Sequence, residues 1–153
     1  MKNTSFYLFV LLAVACSKAD IPAINCNTKT NRLADVKRLL PGTYEWAYTN
    51  IIYQVGSHVE TPLNTGTRYR YIFKPGGQVY YFRNDTLQWN NNYVIDYEFA
   101  VTAYPSDSSI IVIIRDKQTG LRQDFFRPYV CSDSALFYNP YNSIDYRRFF
   151  KRN

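Results

Sequence analysis

From Thr43 to Phe150 the chain repeats with a period of two, and aromatic residues carry the repeat. Tyr44, Trp46 and Tyr48 alternate with Glu45, Ala47 and Thr49, and Tyr69, Tyr71 and Phe73 alternate with Arg68, Arg70, Ile72 and Lys74. Successive side chains of a strand point to opposite faces, so this spacing predicts pleated strands with one packed face. Behind it stand 15 Tyr, 10 Phe and 2 Trp. Tyrosine suits half-buried pleated positions, where the ring packs and the hydroxyl finds water or a partner.

Turn chemistry divides the repeat into eight strands. Two run over about 43–53 and 67–74, and others over 78–83, 92–103, 109–115, 121–130, 134–138 and 144–150. Pro75-Gly76-Gly77, Asp116 to Gly120, Cys131-Ser132-Asp133 and Asn139-Pro140-Tyr141-Asn142 mark turns between them. Ahead of them, Leu33, Val36, Leu39 and Leu40 form the stripe of a short helix, capped by Asn31 and stopped by Pro41-Gly42. The fold class is therefore all-β: an eight-stranded antiparallel up-and-down barrel, lipocalin-like, with a short N-terminal helix. A two-sheet sandwich is the alternative. Links alternate between the ends of such a barrel. The long ones, 54–65 and 84–91, fall at one end with 116–120 and 139–143, and the tight turns fall at the other, as in a cup.

The first residues read differently. Lys2 precedes an apolar run, Phe6 to Val14, too short to span a bilayer. Ala13-Val14-Ala15-Cys16 then resembles a bacterial lipobox, which implies acylation of Cys16 and a stable lipid anchor. The organisation expected is a lipoprotein signal peptide at 1–15, a lipidated tether at 16–30 and a barrel domain at 31–153. Beyond Cys16, Lys18 with only Asp20 is a poor match to the acidic signal for surface export, so the side of the outer membrane stays open.

Leu40-Pro41-Gly42-Thr43-Tyr44, Phe73-Lys74-Pro75-Gly76-Gly77 and Tyr146-Arg147-Arg148 together resemble the lipocalin-like lipoproteins of Bacteroidota envelopes. The resemblance spans about residues 33–150. Members usually carry Trp where Tyr44 stands. It implies an envelope location and a barrel closed at one end by Gly42, Tyr44 and an arginine, Arg148, covering the ring.

On this topology Cys26 and Cys131 both lie at the tight-turn end, and two thiols left after lipidation are a disulfide candidate in an oxidising envelope. Closing about 100 residues contributes roughly 4–5 kcal/mol in the chain-entropy model.

Catalytic chemistry finds little support. His58 is the only histidine and reads as an exposed loop residue beside Ser57 and Glu60. One histidine and no CxxC argue against a metal site, and no cofactor motif occurs. Asp96 and Glu98 share a strand face that reads as solvated. The net charge of +6 is scattered rather than gathered in a stripe, which argues against nucleic acid.

What remains is an aromatic surface. Trp46, Tyr48, Tyr69, Tyr71, Tyr97 and Phe99, if they point inward, line or fill the barrel, and Trp89 reads as a residue of its mouth. The function expected is non-enzymatic binding of a small hydrophobic or aromatic ligand. The alternative is a structural lipoprotein with a filled barrel that contacts envelope proteins or glycans through an outer row such as Tyr80 and Phe82. Asp85-Thr86-Leu87 and Asp133-Ser134-Ala135 resemble an O-glycosylation acceptor, at Thr86 and Ser134.

Overall fold

A computed structural model describes residues 32–98, 109–139 and 144–153. The signal and tether segments, with Cys16 and Cys26, lie outside the described residues, as does Phe99.

The chain forms α1 (Leu33–Leu39), β1 (Gly42–Tyr53), β2 (Gly56–Glu60), α2 (Pro62–Thr65), β3 (Tyr69–Lys74), β4 (Gln78–Arg83), β5 (Thr86–Glu98), β6 (Ser109–Arg115), β7 (Arg122–Val130), β8 (Ser134–Asn139) and β9 (Asp145–Arg152). Every pairing is antiparallel, and β9 returns to β1, so eight strands close into a barrel with β2 as an extra strand. Closure gives each of the eight a neighbour on both sides over at least part of its length.

The extra strand departs from the loop expected over 54–65. β2 folds back along the upper part of β1, from Tyr53↔Gly56 to Thr49↔Glu60. A helical turn then holds the chain at the rim: the Thr61 and Asn64 side chains bond each other's backbone N–H, a capping box, at 3.2 and 2.7 Å.

The next link at this end is also shorter than 84–91. Asn84 and Asp85 adopt φ of 49° and 62°, which two-residue hairpins require and which Asn and Asp tolerate. β5 therefore begins at Thr86, and Trp89 is a strand residue rather than a loop residue. At the helix, Arg32 rather than Asn31 takes the N-cap position, with no side-chain cap bond.

At the opposite end β6 and β7 part company. Val112↔Phe126 is their last pair on that side. Two residues further, Pro128 has no N–H to continue the ladder. α1 packs across this end, where Val36 and Leu40 join Tyr93, Val112 and Val130 in the core.

The barrel is filled in its lower half. Tyr44, Phe73, Phe126, Phe137 and Phe150 are among its largest fully buried side chains. Phe137 is the hub, with ring centroids 4.2 Å from Phe126, 4.6 Å from Phe150 and 5.5 Å from Tyr44. Burying rings of this size contributes about 2–3 kcal/mol each.

The lower end closes on Tyr44 as expected, but the arginine is a different one. Arg152, paired with Tyr44 in register, sets its guanidinium 6.0 Å from the ring centre and donates to the Pro41 carbonyl at 2.9 Å. A Cβ on Gly42 would stand 3.0 Å from Arg152 Nε, so glycine admits the guanidinium. Arg148 is the correction: β9 runs on to Arg152, which puts Arg148 four residues nearer the other end, opposite Thr49.

Candidate functional site

Above the ring layer the barrel is hollow. A cavity of about 430 Å³ lies between β1, β2, β3, β4, β7, β8 and β9. Trp46, Tyr69, Tyr71, Tyr81, Tyr146 and Phe150 give it aromatic walls, and Thr49, Glu60, Asp124, Asn139 and Arg148 add polar groups.

The aromatic wall follows from period two in β3 and β4. Tyr69 and Tyr71 point inward, and the register sets Tyr71 opposite Tyr81. Tyr69 stacks on Tyr81 at 5.9 Å and meets Trp46 at 4.8 Å. Trp89, in register with Tyr81 and on the same face, stacks on it at 5.0 Å and meets Tyr71 at 6.0 Å, so it supports the wall without being among the residues that line the cavity. The Trp46 indole N–H donates to the Thr49 hydroxyl at 2.9 Å.

That bond reflects an irregularity in β1. The register with β9 passes from Trp46↔Phe150 to Tyr48↔Phe149, so a bulge interrupts the alternation. An extra residue inverts every later side chain. Tyr48 therefore turns away from the cavity and stacks on Phe149 at 4.3 Å, where it is buried, while Thr49 and Ile51 turn inward. The expectation that Tyr48 lines the ligand site is overturned for this reason. Tyr97 departs differently: it follows Tyr93 on the same side of β5 but lies beyond the filled end, and it is 41 % exposed.

Two inward charges meet in the cavity. Both terminal nitrogens of Arg148 reach Asp124 Oδ2 at 3.3 Å, and each side chain keeps 24 % of its surface open. Asp124 Oδ1 accepts from the Phe125 N–H at 2.8 Å. Burial of the guanidinium opposes its charge, but Tyr71 and Asp124 outweigh this and hold the Arg148 pKa above its ordinary value. The Tyr71 hydroxyl is pushed up by burial, with Arg148 working against that shift. This pair is the floor of the site.

Glu60 sits two strands away from Arg148, where Thr49 pairs with Glu60 on one side and Arg148 on the other. Sequence reasoning placed Glu60 in a loop and did not select Asp124. The readable signal for Asp124 was its place in the alternation Asp124, Phe126, Pro128, Val130: a charge on an otherwise buried face.

Other expected features settle outside the site. Ser134 is only 6 % exposed, and its hydroxyl donates to Asp133 Oδ1 at 2.8 Å, so the folded chain does not present it as an acceptor. Thr86 is exposed at the β4–β5 turn. Asp96 is exposed, its carboxylate accepting from the Tyr97 N–H. His58 is exposed on β2. Among the described residues no three His, Cys, Asp or Glu side chains are grouped to hold a metal, and no helix is long and apolar enough to cross a membrane.

Fold and site together define a closed antiparallel barrel with a solid base and an aromatic, charged cup. In comparisons with known proteins, no family model, curated protein or solved structure matches this chain.

Proposed function

We propose that this chain is an envelope lipoprotein, anchored through acyl chains on Cys16 and held at the outer membrane, whose barrel carries a small hydrophobic or aromatic ligand without converting it. The observation that carries the binding part is the cavity. A volume of about 430 Å³ walled by six aromatic rings falls in the range of small-molecule sites. Offset or edge-on stacking adds about 0.5–1.5 kcal/mol per ring pair beyond the area buried. The anchor rests on the lipobox resemblance, and the resemblance to Bacteroidota envelope lipoproteins supports the location.

A bridge between Cys26 and Cys131 belongs to the same proposal. What supports it is that Cys131 is a bonded cysteine rather than a titrating thiol, and that its turn lies at the end covered by α1. With Cys16 acylated, Cys26 is the partner left.

Native mass spectrometry of the protein extracted from its own envelope tests the reading. A discrete co-purifying small molecule, absent from Trp46→Ala, is the expected result. An empty barrel that arrives with a protein partner points instead to the interaction reading. Its surface would be the outer row of β4, where Tyr80 and Phe82 are half-buried and Arg70 stands 4.6 Å over the Phe82 ring.

A further inference from the structure

We infer that the cavity selects a ligand bearing a positive charge on an aromatic or planar body, an arylalkylamine in chemical class; this rests on the carrier reading above.

The argument starts from the charges that line the site. Among the described residues they are Glu60, Asp124 and Arg148. Arg148 and Asp124 neutralise each other through two contacts at 3.3 Å, and Asp124's other oxygen is taken by the Phe125 N–H. Glu60 has no ion pair or side-chain hydrogen bond among the described residues. The described lining therefore carries one uncompensated negative charge.

The surroundings of Glu60 have the same preference. Glu60 is paired across the sheet with Thr49, and the Trp46 indole N–H is 2.9 Å from that hydroxyl. Trp46 leads on to Tyr69 at 4.8 Å and Tyr69 to Tyr81 at 5.9 Å. An aromatic face is the negative part of the ring quadrupole, so these walls attract a cation and repel an anion. A carboxylate beside aromatic faces, partly removed from water, is the arrangement that recognises an ammonium group.

Arg148 does not reverse this preference. It lies two strands from Glu60, with β1 between them, which separates their backbones by roughly 10 Å. An anionic ligand placed on Arg148 would have to share it with Asp124 and would add a second negative charge facing Glu60. A cation at Glu60 leaves the floor pair intact and brings the lining to neutrality.

The test is titration calorimetry on the full chain with three probes built on one indole: tryptamine, its neutral isostere 3-propylindole, and the anion indolepropionate. The expected order is tryptamine tightest, by at least about tenfold over 3-propylindole, with indolepropionate weakest. Glu60→Gln lowers tryptamine affinity by about tenfold and leaves 3-propylindole unchanged, and added salt narrows the gap between the two. Equal affinities for tryptamine and 3-propylindole, or tightest binding of indolepropionate, overturn the inference and leave the carrier reading standing. Silence from all three probes overturns the inference, and the carrier reading then stands or falls on the co-purification experiment above.

Discussion

Tyr44 shows how a single side chain ties the closed end together. Its ring is fully buried, and its hydroxyl donates to the Leu40 carbonyl at 2.9 Å, coupling the end of α1 to β1. Burial drives its pKa up to about 12 from 10.0, although the Arg152 guanidinium pulls the other way. The fold therefore requires the neutral phenol. A raised folded pKa contributes stability that is fully present below the unfolded value and lost as pH rises through the folded one. Urea unfolding of wild type and Tyr44→Phe should thus differ in pH dependence. At neutral pH the variant is less stable by about 1 kcal/mol, the net worth of a lost hydrogen bond. Between pH 10 and about 12 the wild type loses roughly 2–3 kcal/mol relative to the variant, and the order reverses. Phe137 has a larger role. It touches Tyr44, Tyr71, Phe73, Phe126 and Phe150, and it separates the packed base from the cavity. Phe137→Ala should lower unfolding free energy by about 3–5 kcal/mol in the same assay.

Elements are set by short-range rules, with two places where those rules act against the simple pattern. The first is the turn between β3 and β4. Gly76 and Gly77 both hold positive φ, 92° and 85°. A Cβ at Gly77 would also meet the Tyr93 carbonyl oxygen at 3.0 Å, whereas at Gly76 nothing lies within 4 Å. Backbone oxygen cannot move aside as a flexible side chain can. Thermal unfolding should show Gly76→Ala costing about 1 kcal/mol, the left-handed penalty alone. Gly77→Ala should cost about 2–3 kcal/mol. The second is the bulge in β1. Read as uninterrupted alternation, Trp46 and Tyr48 share a face; in the barrel they do not. A bulge leaves no mark in residue types, because both inner and outer neighbours here are aromatic. Asn84-Asp85 is the opposite case, since its chemistry is visible in the sequence and the polar run after it disguised a strand.

At the scale of the whole molecule, closure through β1 and β9 divides strongly held strands from weakly held ones. β1 is paired along one side by β9 and along the other by β3 below and β2 above. Among the described residues β2 is paired only with β1. Local opening follows such differences in pairing and burial. Native-state hydrogen exchange should therefore find the amides of β1 and β9 among the slowest, and those of β2 and α2 faster by at least about tenfold. A ligand seated against Glu60 should slow β2 selectively. Uniform protection of β2 and β9 in the empty protein would contradict this division.

The sequence by itself determined the all-β class, the helix before the first strand, seven of the strand positions to within a few residues, and the inward rows that hold Trp46, Tyr69 and Tyr71. Those properties are local: alternation and turn chemistry are written in neighbouring residues. Tertiary structure decided which arginine closes the base, on which side of β1 Tyr48 falls, that β2 and Glu60 join the wall, and that the barrel is solid below and hollow above. Each of these depends on the register between strands distant in the chain. A shift of one residue moves a side chain between core and surface, and nothing in the chain's local chemistry fixes that shift in advance.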